Sequence, residues 1–189
     1  TTIWMDTVRN GEFGLSNTNK LVRFYDGTTG LKTGYTSSAG YCLSASAERG
    51  RMELIAVVMH CKTSPDRFES AKALFNYGFA NYALVDPMEK LTLEPVPVVL
   101  GRQELVQVQA QDAQAILIDK ALAGSVTCAV ELDESVTAPV LKGQQLGTLR
   151  VEAGGRLLRE IALAAAQEVP ALSFADIWRM MLERVCMAG

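Results

Sequence analysis

Histidine is almost missing from these 189 residues: His60 stands alone. Four cysteines, Cys42, Cys61, Cys128 and Cys186, are scattered with no Cys-x-x-Cys spacing. Imidazole and thiolate ligands are thus too few and too irregular to frame a zinc site, and neither metal nor cofactor is expected. His60 and Cys61 adjoin, but neighbours on a strand point to opposite faces, which argues against a catalytic pair. The thiols are expected free and mostly buried, although an oxidising compartment would allow a bridge. Excess basic charge is also lacking, with 18 Lys and Arg against 21 Asp and Glu. Without a basic field, nucleic acid is not expected as a partner. No apolar run approaches the ~20 residues that cross a bilayer. Thr1-Thr2-Ile3-Trp4 has neither a charged n-region nor an apolar h-region. What the chain does have is a hydrophobic fraction of 49%, enough for the cores of one or two domains.

The chain is organised around Asp26 to Tyr41, a glycine-rich stretch with Lys32-Thr33-Gly34 at its centre and Gly30 and Gly40 on either side. Before it, Asn17-Thr18-Asn19 reads as loop asparagines satisfying backbone groups. Leu21 to Tyr25 reads as a short strand, with Trp4 and Met5 as core candidates. After it, Tyr41, Leu43, Ala45 and Ala47 alternate with Cys42, Ser44 and Ser46, which predicts a strand. Glu48-Arg49-Gly50-Arg51 is a turn. The unbroken apolar run Leu54 to Met59 predicts a central strand buried on both faces. Ser64-Pro65-Asp66 then starts a helix, with serine as N-cap and proline in the first turn. Phe68, Ala71, Phe75 and Tyr82 recur at helical spacing and face a sheet.

Asp86-Pro87 marks a boundary. Beyond it, short strand candidates follow one another: Val98 to Leu100, Leu105 to Val108, Ala115 to Ile118, Val126 to Leu132, Leu146 to Val151 and Leu157 to Leu163. The last two are joined by a Gly154-Gly155 hairpin. Many short strands with regular turns point to a small β-sandwich. Ser173 to Asp176 starts a final helix whose stripe is Phe174, Ile177, Trp178, Met181, Leu182 and Val185. It is either a packing element or an interfacial membrane helix, too short and too charged to span.

Lys-Thr-Gly is one of three signatures of penicillin-binding proteins and class A β-lactamases. With Asp26-Gly27 before it and Ala39-Gly40-Tyr41 after it, the stretch resembles the serine-type D-alanyl-D-alanine carboxypeptidases, the low-molecular-mass penicillin-binding proteins of the peptidase S11 type. The resemblance runs from Asn17 to Tyr82 and returns from Ala138 to Pro170, where Ala138-Pro139-Val140-Leu141-Lys142-Gly143 and Gly147-Thr148-Leu149 resemble the domain that follows the catalytic one. It implies an α+β fold: the C-terminal part of a penicillin-binding, β-lactamase-like transpeptidase domain (residues 1–86, antiparallel sheet plus covering helix), a β-sandwich domain (87–170) and an amphipathic helix (171–189).

The resemblance also implies roles. The Lys32 strand would be the sheet edge that takes an extended peptide by strand addition. Lys32 would place a positive charge beside the nucleophile, and Thr33 would bind the terminal carboxylate. Gly34 would let a substrate backbone lie close, and the backbone N–H of Tyr35 would be an oxyanion donor. Some members carry histidine where Tyr35 stands, but only the backbone is needed. Arg67, otherwise a solvated arginine, would be the fork for that carboxylate. The expected substrate is the peptidoglycan stem peptide, cleaved through an acyl-enzyme on serine, with β-lactams as inhibitors. The expected place is the outer face of the bacterial cytoplasmic membrane, with residues 173–186 against its surface.

No serine here has lysine three positions on or asparagine two positions on. The family's nucleophile motif, Ser-x-x-Lys, and its Ser-x-Asn are therefore missing, and both precede Lys-Thr-Gly in the family. The chain is expected to be the C-terminal part of a longer enzyme, inactive alone. Two other readings stay open: a different transpeptidase or β-lactamase of the superfamily, and a non-catalytic β-rich scaffold that docks on a membrane or protein.

Overall fold

The computed structural model describes residues 2–89 and 91–187, except for the side chains of 183–187. The expectations for Val185 and Cys186 lie outside the described side chains. In chain order the elements are β1 (Met5–Val8), β2 (Phe13–Ser16), α1 (Leu21–Phe24), β3 (Thr28–Thr36), β4 (Gly40–Arg49), β5 (Met52–Cys61), α2 (Ser64–Asn81) and β6 (Tyr82–Val85). They continue with β7 (Val96–Val99), β8 (Leu105–Val106), β9 (Val108–Ala110), β10 (Ile116–Asp119), β11 (Val126–Leu132), β12 (Val136–Thr137), β13 (Gln145–Ala153), β14 (Arg156–Ala165) and α3 (Phe174–Met187). Two compact units result, one of Thr1–Leu84 with Leu117–Ala121, the other of Val85–Ile116 with Leu122–Gly189.

In the first unit, β3, β4 and β5 form an antiparallel sheet in that order. The alternation along β4 sends Leu43, Ala45 and Ala47 to the buried face. There they meet Phe68, Ala71, Phe75 and Phe79 of α2 together with Leu21 and Tyr25 of the α1 region. Sequence and structure differ at five places. Leu21–Phe24 is a helical turn, not a strand: Asn19 Oδ1 accepts from Leu21 N–H, which starts the turn. Met5 is exposed in the β1–β2 hairpin rather than in a core.

The third difference is β5, which lies at the end of the three-stranded sheet rather than at its centre. Ala56 is buried against α2, while Ile55, Val57 and Met59 are exposed on the other face; the apolar run hid a one-sided strand. The fourth is the α2 N-cap, which is Thr63, not Ser64. Its hydroxyl accepts from Asp66 N–H while the Asp66 carboxylate accepts from Thr63 N–H, a reciprocal capping box. Pro65 still sits in the first turn. The fifth is Tyr82, which lies just past the helix rather than on its stripe.

The second unit has a four-stranded sheet, β11-β13-β14-β9, and a three-stranded sheet, β12-β7-β8. Val96, Val98 and Val106 of the small sheet pack with Leu146 and Ala165 of the large one. This is sandwich packing. Gly154 and Gly155, at φ +57° and +76°, turn β13 into β14, the two positive values a tight hairpin requires. Ser173 caps α3: its hydroxyl donates to the Asp176 carboxylate at 2.6 Å and accepts from Asp176 N–H at 3.3 Å. Arg102 Nε lies 3.0 Å from the same carboxylate. Phe174, Ile177, Trp178, Met181 and Leu182 are all exposed. Among the described residues no helix is long and apolar enough to cross a membrane.

Candidate active-site wall

The Lys32 strand, β3, is bonded to β4 on one side only. Lys32 pairs with Ser44, Thr33 with Leu43, Gly34 with Cys42 and Tyr35 with Tyr41. A ladder this regular holds the triplet flat and presents its other edge. Lys32 is exposed, and its ammonium donates to the Thr33 carbonyl at 2.8 Å. The Tyr35 ring stacks on Tyr41, centroids 4.4 Å apart. A methyl group at Gly34 would meet nothing closer than the Cys42 Cβ at 3.9 Å. Packing among the described residues therefore does not demand glycine there; a group approaching from outside would.

Arg67 is brought to this strand. Thr63 caps α2 and fixes its first turn, so the Arg67 side chain runs across the ends of β3 and β4. It is 8% exposed. Nη1 donates to the Gly34 carbonyl at 3.1 Å and to the Cys42 carbonyl at 3.4 Å, and Nη2 donates to Ser64 Oγ at 3.1 Å. The guanidinium lies 5.3 Å from the centre of the Tyr41 ring and 4.9 Å from that of Phe68. Its Nε is buried with no hydrogen-bond partner. A guanidinium has five N–H donors. Both Nη atoms are engaged here, and the buried Nε–H is left without a partner.

Two residues beside the strand carry more than the sequence revealed. Asn19 is fully buried. Its Nδ2 donates to the Gly30 carbonyl at 3.0 Å, and its backbone N–H donates to Asn17 Oδ1 at 2.9 Å. Between them Thr18 faces Thr33, hydroxyl to hydroxyl, at 2.8 Å. The Asn-x-Asn spacing was the available signal: pinning both flanks turns the middle side chain outward. His60 and Cys61 lie at the C-terminal end of β5, where Cys61 pairs with Tyr41 and His60 takes φ +57°. Cys42, Cys61 and Cys128 are free thiols, but they are not mostly buried as expected: Cys42 and Cys61 are half-buried and Cys128 is exposed. Among the described residues no group of three or more His, Cys, Asp or Glu side chains could hold a metal.

Comparison with known proteins agrees with this geometry. Residues 1–63 match the peptidase S11 family model, D-alanyl-D-alanine carboxypeptidase, and residues 85–171 match the model of the penicillin-binding protein 5 C-terminal domain. The chain is 35% identical over 166 residues to the D-alanyl-D-alanine carboxypeptidase DacF of Bacillus subtilis, covering 86% of this chain and 42% of that protein. It is 31% identical to DacC of Escherichia coli, covering 81% and 39%. Among solved structures, penicillin binding protein 5 from Haemophilus influenzae superposes with a TM-score of 0.70 at 30% identity, covering 89% of this chain and 50% of that one. The chain thus spans about two fifths of the length of these curated relatives.

Proposed function

We propose a function from the premise that this chain belongs to the peptidase S11 D-alanyl-D-alanine carboxypeptidases and carries their C-terminal part. It forms one wall of the active site of a serine carboxypeptidase that removes the terminal D-alanine from peptidoglycan stem peptides. The nucleophile lies on the part of the enzyme that this chain lacks. Residues 1–86 end the catalytic domain, 87–170 form the β-rich domain, and the terminal helix lies within 171–189.

One observation carries the reading: the guanidinium of Arg67 is lodged against Gly34 in the edge strand of the Lys-Thr-Gly triplet. On that edge a peptide adds as a further strand. Its terminal carboxylate meets the Thr33 hydroxyl and the charge of Arg67. Lys32 supplies a positive charge beside the serine and its proton relay. As the serine oxygen attacks, the carbonyl oxygen gains negative charge and is held by the Tyr35 N–H. Losing one such donor costs about 2.7–4 kcal/mol of transition-state stabilisation. The acyl-enzyme forms as D-alanine leaves, and water then releases the shortened peptide. β-Lactams acylate the same serine and are not readily released.

The exposed apolar residues of α3 favour a second element of the reading, a helix lying in the interface of the cytoplasmic membrane's outer face. The carboxylate role is tested in the full-length enzyme by comparing a peptide ending in free D-alanine with its C-terminal amide. Arg67→Ala is expected to lose the preference for the free acid. An equal relative loss on both peptides contradicts that role.

A further inference from the structure

The Thr18 and Thr33 hydroxyls, 2.8 Å apart, share one hydrogen bond in which either oxygen can donate. A hydroxyl carries one proton and two acceptor sites. If Thr33 donates to Thr18, its proton is spent. If Thr18 donates to Thr33, the Thr33 proton is free to point elsewhere. An ionised carboxylate only accepts, so it can bind Thr33 only in the second arrangement. Among the described residues the Thr18 hydroxyl has no other hydrogen-bond partner.

Thr18 is exposed but not loosely held. Asn17 Oδ1 accepts from Asn19 N–H, and the buried Asn19 side chain ties Gly30 of β3 to Leu21 N–H at the start of α1. The loop is thereby fastened to the strand whose hydroxyl Thr18 meets. We infer that Thr18 is a positioning residue: it donates to Thr33 and so aims the Thr33 proton at the terminal carboxylate of the substrate. This rests on the proposed reading of Thr33 as a carboxylate contact. The resulting chain runs from the Thr18 hydroxyl through the Thr33 hydroxyl to the carboxylate. Each bond in such a chain polarises the next. Thr18 acts through the Thr33 hydroxyl, so its effect is on binding rather than on the chemical step.

The experiment is steady-state kinetics of the full-length enzyme on a D-Ala-D-Ala peptide and on its C-terminal amide. Four variants are compared: Thr18→Val, Thr18→Ser, Thr33→Val and the double Thr18→Val/Thr33→Val. Thr18→Val is expected to raise KM for the free acid about tenfold, a single hydrogen bond to a charged group, with kcat unchanged. The amide should be nearly unaffected, and Thr18→Ser should behave like wild type. The double variant should be no worse than Thr33→Val. If Thr33→Val abolishes the preference for the free acid while Thr18→Val matches wild type, the inference is overturned and the reading of Thr33 stands. If Thr18→Val raises KM equally for both peptides, its role is merely structural and the inference is again overturned. If Thr33→Val leaves the preference intact, the reading of Thr33 fails and the inference falls with it.

Discussion

Arg67 donates from Nη1 to the carbonyl of Gly34 at 3.1 Å, so the first turn of α2 is bonded directly to the edge strand that carries Lys-Thr-Gly. The same nitrogen reaches Cys42 in the next strand. One side chain therefore ties the helix to both strands while keeping Nε free of partners.

Arg67→Ala would leave the Gly34 and Cys42 carbonyls without this donor. Stability should fall by roughly 1.5–3 kcal/mol, the worth of hydrogen bonds from a charged donor. Arg67→Lys should recover only part of it, because an ammonium is a point charge without the planar fork. Chemical denaturation of the three proteins checks this, and equal stability of all three would show that the bonds are not used.

The entry to the Lys32 strand depends on Gly27. It sits at φ +84°, a Cβ there would collide with the Glu48 carbonyl, and its own carbonyl accepts from Glu48 N–H at 2.8 Å. Gly27→Ala should destabilise the first unit by at least about 1–2 kcal/mol, the cost of a left-handed conformation with a side chain. Gly50→Ala shares the positive φ but meets nothing within 4 Å, so it should cost less. The ranking of the two thermal midpoints tests the point.

The fold was legible where a local pattern had one structural solution. The alternation of β4, the Gly154-Gly155 turn and the Ser173 cap are each fixed by neighbours in sequence. Leu21–Phe24 was not legible, because its helical turn is started by the side chain of Asn19 rather than by propensity. Nor was the one-sidedness of β5: Ile55, Val57 and Met59 are as apolar as the residues that face α2, and only the packing of α2 shows which face is covered. At the candidate site, Lys32-Thr33-Gly34 could be read directly as a motif. The engagement of Arg67 with two backbone carbonyls and the Thr18–Thr33 pair could not, since both join residues that only the folded chain brings together.

The start of α3 should respond to acid. The Asp176 carboxyl lies below its ordinary value of 3.8, chiefly through hydrogen bonds from the Ser173 hydroxyl and backbone N–H; partial burial opposes this and Arg102 adds to it. A lowered carboxyl contributes stability that is present above the ordinary value and is lost as pH falls through the lower folded value. Asp176→Asn should therefore lower the thermal midpoint at neutral pH. The gap to wild type should close below the ordinary carboxyl range. A gap that persists unchanged in acid would rule out the ionised carboxyl as its source.

The exposed stripe Phe174, Ile177, Trp178, Met181 and Leu182 should bind lipid, since burying a side chain of this size is worth about 1.5–3 kcal/mol. Arg179 and Arg184 are offset by Asp176 and Glu183, so binding should depend little on salt. In flotation with phosphatidylcholine and phosphatidylglycerol vesicles, the chain should rise at low and high salt alike. Trp178→Ser with Leu182→Ser should stay in the soluble fraction. Wild-type chain that never floats would make α3 a packing or partner element.

The central claim is that this chain supplies Lys32 to an active site whose serine lies outside it. Labelling by a fluorescent penicillin, read on a denaturing gel, tests this most directly. Full-length enzyme should give a covalent band, full-length Lys32→Ala should give almost none, and the 189-residue chain alone should give none. A band on the isolated chain, or full labelling of Lys32→Ala, would contradict the account.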